Sequence, residues 1–434
     1  MTDNSKQPIR LKIYSQAYGG YGVGKHEGRV LFVPDTIQGD EVDVCIQEEK
    51  KNFAFASVLA FVKQSPLRIP SDCPYDEKCG GCQWLSIPYE TQIQFKLEFL
   101  LDALKRTGKI PLENKPHVHT SSSRYYRNRV LLRGTIHEGG RIHVGFMERS
   151  SHKQVAIAHC LNVDPLINTF IEDISKFHTA CKAQKFRIEV QVLPASQRLL
   201  LVLHSLHGVD SLGALKKELS QNKYVQWVGL SSELVKAPFF LFEKDLDCEF
   251  FTSPGAFQQV NVPLNHEVRR LIYDFIKEKN IKSVLDLFCG SGNLSLALAK
   301  PGSSVLGVEQ SNTSIRIANH NVVQNKIQNA RYECAPAHSF LKGLVQSKAS
   351  FDLLIVDPPR KGMKECIDSI KKLKVPYLIY MSCDPVTLAR DLKELSDMYE
   401  IRETHIFDFF ANTEHLESLV FLSLRKNLPH LQVT

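Results

Sequence analysis

The chain has 434 residues, of which 43% are hydrophobic, and a formal net charge of +7 at pH 7. This length predicts two or three domains, each with its own apolar core. No apolar run reaches the length of a membrane span and the N-terminal stretch is polar, so we expect neither a membrane nor a secreted protein. Eleven cysteines without a secretion signal favour a reducing compartment and predict a cytoplasmic location. The mild positive charge permits a nucleic-acid partner without requiring one.

The first part of the chain, residues 1–63, reads as short strands separated by glycine and proline turns, with a glycine-aromatic loop over 18–24. Five such strands predict a small β-barrel of OB type, a fold often used on RNA. The pattern resembles the TRAM domain, an RNA-binding barrel attached to RNA-modifying enzymes; a purely structural barrel is the alternative. Because the strands of a barrel close on themselves, we expect the remaining chain to fold without it.

Four cysteines point to a metal centre. Cys73, Cys79 and Cys82 lie close together, with two glycines before the third, and Cys160 follows much later. Thiolates bind soft metals, and glycines let the backbone curl so that neighbouring sulfurs converge. The commonest zinc pattern pairs two short knuckles, whereas only one knuckle is present here. We therefore favour an iron–sulfur cluster over zinc, and both over four unrelated core cysteines.

A central domain is assigned to residues 64–261. A helix is predicted over 88–107, with one apolar face and a stop at Gly108; the residues of that face are Ile93, Leu97, Leu100, Leu101 and Leu104. Two strand pairs follow, at 129–135 with 142–146 and at 186–193 with 199–204. Cys160 comes just after the first pair, so folding can return it to the other three cysteines.

The last domain, residues 262–434, alternates helical and apolar strand patterns, and the strands are predicted at 283–287, 304–308, 351–356 and 375–381. This alternation is typical of a doubly wound α/β sheet. The first of these strands runs into Gly290 and Gly292, after which we expect a helix. Glycines at the carboxyl edge of a sheet let the backbone approach a ligand closely.

An acidic residue, Glu309, ends the second strand of this domain, where it suits the ribose hydroxyls of an adenosine ligand. Together, the glycine loop and Glu309 resemble the S-adenosylmethionine site of class I methyltransferases. A glycine turn that only packs a helix, without a ligand, is the alternative. The motif Asp357-Pro358-Pro359-Arg360 has arginine where many of these enzymes have an aromatic residue, which makes methylation of an exocyclic base nitrogen less expected.

Two residues near the C-terminus are candidates for catalysis. Cys383, in Ser-Cys-Asp-Pro, lies at the carboxyl end of a strand beside the cofactor edge, where it can act as a nucleophile. Glu417 supplies a carboxylate. Carbon 5 of uracil is too weak a nucleophile to take a methyl group directly, but addition of a thiolate at carbon 6 activates it, and a base must then remove the carbon 5 proton. We assign Cys383 as the nucleophile and Glu417 as the base; a buried cysteine and a solvated glutamate without function are the alternatives.

With these motifs, the whole chain resembles the RNA uracil-5-methyltransferases. The resemblance implies a [4Fe–4S] cluster on the four cysteines, as in the branch that acts on 23S ribosomal RNA. The tRNA branch is typically shorter and lacks the barrel and the cluster, which favours rRNA over tRNA. By the same resemblance Gln259, in Phe-Gln-Gln-Val-Asn, and also Phe288, Glu309, Asp357 and Asn293 contact the cofactor. Ser-Cys-Asp-Pro and His-x-Glu match the family at Cys383 and Glu417.

One departure from the family concerns Ala411, where proline is usual, so the loop before Glu417 is expected to differ. For RNA contact we single out 124–129, which mixes arginines with tyrosines; a solvated strand entrance is the alternative. A tRNA enzyme and a non-catalytic iron–sulfur RNA-binding protein remain alternatives, and a radical enzyme is disfavoured by the fourth cysteine. No membrane and no obligate protein partner are expected.

Overall fold

The computed structural model describes residues 8–149, 151–206 and 209–426. Within these ranges the strands form sheets of six, six, two and eight members. The largest sheet carries helices from a segment in which strands and helices alternate, which confirms the predicted doubly wound domain. A barrel and a β-rich central part precede this domain in the chain, as predicted. No helix in the described part of the chain combines the length and apolar character needed to cross a membrane.

The N-terminal sheet has six strands in the order β1-β5-β6-β4-β3-β2, one more than predicted. These strands are β1 (Ile9–Lys12), β2 (Ser15–Ala17), β3 (Tyr21–His26), β4 (Arg29–Val33), β5 (Glu41–Glu49) and β6 (Phe53–Lys63). The predicted glycine-aromatic loop was wrong in its second half, which is β3. A Cβ at Gly22 would lie 2.1 Å from the Thr36 hydroxyl, so glycine here serves close packing inside a strand.

The segment that follows the barrel packs against the last domain. Helix α1 (Tyr89–Ala103) continues into a wide turn at Leu104–Gly108, and β7 (His117–His119) joins the edge of the eight-stranded sheet. The predicted helix is therefore present, but its predicted face is wrong in part: Leu101 is exposed, whereas Lys96 is buried. Lys96 can be buried because its ammonium lies 2.5 Å from the Asp408 carboxylate.

The central sheet has the order β10-β9-β8-β11-β12-β13 and packs on α2. Its elements are β8 (Arg129–Ile136), β9 (Ile142–Met147), β10 (Gln154–Ala156), α2 (Pro165–Lys176), β11 (Gln184–Leu193), β12 (Arg198–Ser205), α3 (Gly213–Leu219) and β13 (Val225–Leu230). A hairpin of β14 (Phe240–Asp245) and β15 (Cys248–Thr252) leads to the last domain. Both predicted strand pairs are antiparallel neighbours, as expected.

The eight-stranded sheet has the order β18-β17-β16-β19-β20-β22-β21-β7. Its elements are α4 (Val262–Lys279), β16 (Ser283–Leu287), β17 (Ser304–Glu309), α5 (Asn312–Gln324), β18 (Ala330–Cys334), α6 (Ala337–Gln346), β19 (Leu353–Val356), α7 (Ile367–Leu373), β20 (Tyr377–Ser382), α8 (Pro385–Leu395), β21 (Tyr399–Phe407) and β22 (Glu417–Leu424). β16 lies between β17 and β19, so the chain order reverses there and opens a crevice at the strands' carboxyl ends. β22 runs antiparallel to both of its neighbours.

The helix expected after the glycine loop does not form. Residues 288–300 are turns with one short helical turn at Leu296–Leu298. Pro301 and Gly302 end the segment before a helix can propagate.

The barrel is packed onto the rest of the protein. Ile37 belongs to the same apolar cluster as Trp84 and the α1 face, and Asp35 forms a 2.6 Å ion pair with Arg149 of the central domain. Removing residues 1–63 would therefore uncover apolar surface on the remaining chain, and the expectation that this chain folds without the barrel stays a prediction.

Candidate active site

A cavity of about 680 Å³ lies at the carboxyl ends of β16, β17 and β19. The loop after β16 shapes it. Phe288 adopts a left-handed conformation with φ of +61°, unusual for a residue with a side chain, and Gly292 has φ of +81°. A Cβ at Gly292 would lie 2.8 Å from the Tyr332 hydroxyl. The loop is thus held in a conformation of the kind that clusters at ligand sites.

All seven residues predicted for catalysis and cofactor binding line this one cavity: Gln259, Phe288, Asn293, Glu309, Asp357, Cys383 and Glu417. The structure also brings in Asp286, which the sequence reasoning did not assign. Asp286 is the acidic residue of strand β16, where it lies between Leu285 and Leu287. A buried charged residue in such a strand is the signal that could have identified it.

Carboxyl groups dominate the electrostatics of the cavity. Burial raises the pKa of Asp286 to about 8, with Asp357 and Glu309 adding to the effect. Burial and the neighbouring Glu309 raise the pKa of Asp357 to about 7. Such a cluster of acids in one enclosed space suits a positively charged ligand, because a cation would favour their ionised forms.

Asn293 is placed differently from the other predicted cofactor contacts. Its side-chain oxygen accepts hydrogen bonds from Arg269 at 2.6 Å and Asn265 at 3.0 Å, and its amide donates to Asn265 at 2.9 Å. Arg269 is buried and ion-paired with Glu243 at 2.8 Å. These contacts occupy the Asn293 side chain and hold the loop after β16 in place. A direct contact between Asn293 and the cofactor stays a prediction.

The two predicted catalytic residues meet through strand pairing. Ser382 of β20 lies opposite Ser418 of β22 in antiparallel register. Cys383 follows Ser382 and Glu417 precedes Ser418, so two residues from distant parts of the sequence stand at adjoining strand ends and line the same cavity. This register is the feature that unites nucleophile and base candidates.

Burial raises the pKa of the Cys383 thiol to about 12, with Glu417 and Asp357 adding to it and the Arg360 cation opposing it. The pKa of Glu417 is raised well above its usual range, again chiefly by burial and by Asp357. Burial in this cavity therefore favours the protonated forms of the thiol and the carboxyl. Arg360, which lowers the pKa of both, is the cation that favours their ionisation.

The peptide that carries Cys383 is fixed on both sides. On its N-terminal side, the Ser382 hydroxyl accepts from the Asp384 amide at 3.2 Å. On its C-terminal side, the Asp384 carboxylate caps α8 by accepting from the Val386 and Thr387 amides, each at 2.9 Å. The thiol is consequently presented at the start of a helix, between a strand end and an N-cap.

The four predicted metal-binding cysteines line a second cavity, of about 110 Å³: Cys73, Cys79, Cys82 and Cys160. The fold returns Cys160 to the knuckle as expected. The pKa of each thiol is raised, chiefly by burial. In the described ranges, no group of three or more His, Cys, Asp or Glu side chains is arranged to hold a single metal ion.

The segment predicted to contact RNA, residues 124–129, is divided. Arg124 and Tyr125 are exposed at the surface. Tyr126 is buried and donates to the Ala411 carbonyl at 3.1 Å, and Arg129 pairs with Glu189 at 2.9 Å. Arg124 is ion-paired with Asp72 at 2.5 Å, whereas Tyr126 and Arg127, whose guanidinium lies 5.7 Å from the Phe410 ring centroid, contact the loop before Glu417.

Comparisons with known proteins agree with this geometry. The family model "tRNA (Uracil-5-)-methyltransferase" matches residues 88–425, and the TRAM domain model matches residues 6–59. An uncharacterised RNA methyltransferase of Thermosynechococcus vestitus is 30% identical, over 96% of this chain and 98% of the relative. The 23S rRNA (uracil(1939)-C(5))-methyltransferase RlmD of Shewanella halifaxensis is 28% identical, over 96% of each chain.

Among solved structures, the Pyrococcus abyssi tRNA (uracil-54, C5)-methyltransferase in complex with S-adenosyl-L-homocysteine superposes with a TM-score of 0.71 at 24% identity. The match spans 95% of this chain and 100% of that one, and at this identity it establishes the fold. The family match covers most of the chain, and the predicted cofactor and catalytic residues share one cavity. The chain therefore belongs to the RNA uracil-5-methyltransferase family of S-adenosylmethionine-dependent enzymes and carries an N-terminal TRAM domain.

Proposed function

We propose that this protein methylates carbon 5 of a uridine in 23S rRNA through a transient bond between Cys383 and carbon 6 of the base. The observation that carries the proposal is the pairing of Ser382 with Ser418, which sets Cys383 beside Glu417 at the cofactor cavity. Bound S-adenosylmethionine supplies the methyl group. A target uridine must leave its stack to enter the cavity.

In this mechanism the Cys383 thiolate adds to carbon 6, and the electrons of the 5,6 double bond move toward the carbonyl oxygen at carbon 4. Carbon 5 would then take the methyl group from the bound cofactor as the bond between that methyl group and the sulfonium sulfur breaks, which leaves a neutral thioether. Glu417 removes the carbon 5 proton, the double bond re-forms, and Cys383 leaves as the thiolate. Arg360 assists both residues electrostatically, because its charge lowers the pKa of the thiol and of the carboxyl.

Cofactor binding is assigned to Gln259, Phe288, Glu309 and Asp357, with Asn293 in support. The acidic lining of the cavity complements the positive charge of the sulfonium and the amino group. Glu309 ends β17, the place from which an acidic side chain reaches ribose hydroxyls. Its Oε1 accepts from the Ser311 amide at 2.8 Å, which holds the carboxylate in one orientation.

The choice of 23S rRNA is supported by relatives whose names specify that substrate, from Shewanella halifaxensis and Legionella pneumophila among others. Length and domain content do not add to it. A structure named as a tRNA enzyme matches 95% of this chain, which leaves too few residues unmatched to exclude the barrel. A measurement of which RNA is methylated therefore distinguishes the rRNA enzyme from the tRNA alternative, whereas the domain architecture does not.

A [4Fe–4S] cluster is proposed on Cys73, Cys79, Cys82 and Cys160. The residues fit it in one respect, since all four thiols face a single cavity whose other lining includes Tyr75, Phe146 and Ile157. Burial alone keeps these thiols protonated, and iron would reverse this by stabilising the thiolates. The cluster supplies no step of the methyl transfer, so we assign it a role in folding and RNA docking. Thiolate ligation also favours the reducing cytoplasm.

The domain limits at 63/64 and 261/262 remain our proposal for the units of this chain, with α1 and β7 attached to the catalytic sheet.

The decisive experiment maps 5-methyluridine in ribosomal RNA and tRNA from cells with and without this protein, alongside methyl transfer from labelled cofactor to each RNA in vitro. Loss of a 5-methyluridine from 23S rRNA, restored by the wild-type gene, is the expected result. Loss confined to tRNA would establish the tRNA alternative. Binding of RNA without methyl transfer to either class would favour a non-catalytic RNA-binding protein.

A further inference from the structure

The glycine-aromatic loop of the barrel reaches the candidate active site. The Tyr18 hydroxyl donates a hydrogen bond of 3.2 Å to the backbone carbonyl of Cys383. We propose that Tyr18 is a positioning residue for the nucleophile, so that the TRAM barrel takes part in catalysis and not in RNA binding alone. The inference rests on the proposed covalent mechanism.

The contact is built into the packing of the two domains. The Tyr18 ring meets the Phe99 ring of α1 edge-on, with centroids 6.1 Å apart. Tyr18 also packs against the apolar cluster of the catalytic domain. Burial and the negative charge of Asp384 raise its pKa, with Arg360 opposing them, so the hydroxyl stays protonated and remains a donor. An oriented, protonated phenol is suited to hold one carbonyl.

The carbonyl of Cys383 accepts its hydrogen bond from the barrel, through the Tyr18 hydroxyl. Ser382 and Asp384 fix the flanking groups through each other and through the cap of α8. The Cys383 carbonyl belongs to the same peptide unit as the Asp384 amide, which the Ser382 hydroxyl holds at 3.2 Å, and residual rotation of this unit would change where the thiol points. A donor on its carbonyl restricts that rotation, and small misplacements of a reacting group are costly to rate.

The same loop of the barrel also lies close to the segment that leads to Glu417. Gly20 has φ of +80°, and a Cβ built on it would lie 3.6 Å from Cβ and Cγ of Glu414, which precedes Glu417 in the same loop. Residues 18–20 of the barrel therefore lie against both the Cys383 peptide and the segment leading to Glu417. Packing of the barrel thus contributes to the position of the Cys383 peptide relative to the segment that leads to Glu417.

The test is the replacement Tyr18→Phe, which keeps the ring packed on Phe99 and removes only the hydroxyl. Tyr14→Phe is the matched control, since Tyr14 is a half-exposed tyrosine of the same barrel. The probe is a 23S rRNA transcript containing 5-fluorouridine. A base cannot remove fluorine from carbon 5 as it removes a proton, so the bond between Cys383 and the RNA base persists. Denaturing gels then measure the rate at which this covalent adduct forms.

We expect adduct formation with Tyr18→Phe to be about three- to tenfold slower, as for loss of one partly buried hydrogen bond. Cofactor affinity and RNA affinity should match the wild type, the melting temperature should fall by no more than about 4 °C, and Tyr14→Phe should react at the wild-type rate. Equal rates for Tyr18→Phe and wild type would overturn the inference while the covalent mechanism stands. A parallel loss of RNA affinity would also overturn it, by making Tyr18 an RNA contact. Absence of an adduct with the wild-type protein would instead contradict the proposed covalent mechanism, on which the inference rests.

Discussion

The side-chain amide of Asn412 donates a 2.9 Å hydrogen bond to the side-chain oxygen of Asn162, whose own amide lies 3.1 Å from the Cys82 sulfur. Asn412 has φ of +65°, and its carbonyl accepts from the amides of Gln83 and Trp84. The turn that leads to Glu417 is therefore connected by hydrogen bonds to the cysteine cavity. Disturbance at the cavity can reach the catalytic loop along this short path.

Replacement of Asn162 by alanine should destabilise the protein. It leaves the buried Asn412 amide without this acceptor and the Cys82 sulfur without this donor, and an unsatisfied buried polar group costs about 1–3 kcal/mol. Urea denaturation measured under anaerobic conditions checks the free energy of unfolding. Asn52→Ala, at an exposed turn of the barrel, is the control and should change it by less than about 0.5 kcal/mol. Equal effects of the two replacements would contradict a structural role for the Asn162 contacts.

Cys383→Ala should abolish methylation while leaving cofactor binding nearly intact. The alanine cannot add to carbon 6, whereas the residues to which we assign cofactor binding are others of the same cavity. Methyl transfer from labelled cofactor and calorimetric binding measure the two effects. Cys334→Ala, an exposed cysteine at the end of β18, should retain wild-type activity. Turnover of Cys383→Ala near the wild-type rate would exclude the covalent mechanism.

Glu417→Gln should lower turnover by about 10²–10⁴-fold, the usual contribution of a positioned base. Methyl transfer precedes proton removal, so the methylated base should remain attached to Cys383. A slowly migrating protein–RNA band that depends on cofactor is expected on a denaturing gel. Absence of that band, with turnover reduced, would assign the base to another residue.

Cofactor affinity should rise with pH. The pKa of Asp357 is raised to about 7 and that of Asp286 to about 8, so both carboxyls pass from protonated to ionised between about pH 6 and 9. A cationic sulfonium binds the ionised forms better, and its binding releases protons. We expect S-adenosylmethionine to bind about three- to tenfold tighter at pH 8 than at pH 6. The shift should be smaller for S-adenosylhomocysteine, which lacks the sulfonium charge.

Calorimetry in buffers of different ionisation enthalpy measures these released protons directly. Asp357→Asn should flatten the pH dependence, because it removes one of the titrating groups. A dissociation constant that is the same at pH 6 and pH 8 would show that the acidic lining is not coupled to the cofactor's charge.

The protein purified without oxygen should be brown and contain about four irons per chain, the content of a four-cysteine cubane. Cys79→Ala should lose the colour and much of the soluble protein. Metal analysis and the visible absorption spectrum check both statements. Cys334→Ala serves again as the control and should keep its iron. One zinc per chain without iron would establish the zinc alternative.

Several parts of this protein were accessible from the sequence because they depend on local patterns. The strands β16, β17 and β20 are short, mostly apolar runs, and a parallel sheet buries such runs whole. Their carboxyl ends meet at one edge, so the residues that follow them were expected to share a site. The cavity contains them as expected.

Other parts depend on contacts between distant segments. The face of α1 was assigned from its leucines, but Lys96 is buried because Asp408 lies opposite it, a partner that no helical pattern reveals. Asp286 was not assigned from the sequence, although an acidic residue in a buried strand is a signal, and its position in the cavity places it among the other acids. Burial and pairing are properties of the assembled fold, and they override local preference.

By itself, then, the sequence determined which residues are candidates for the chemistry: a thiol after one strand, a carboxylate in the last strand, a glycine loop and four clustered cysteines. Only the tertiary structure decided how they meet. The register of Ser382 with Ser418 brings Cys383 beside Glu417, and domain packing brings Tyr18 onto the Cys383 carbonyl. The reason is physical: the order of residues sets which groups are present, whereas strand register and packing between domains depend on apolar surfaces far apart in the chain.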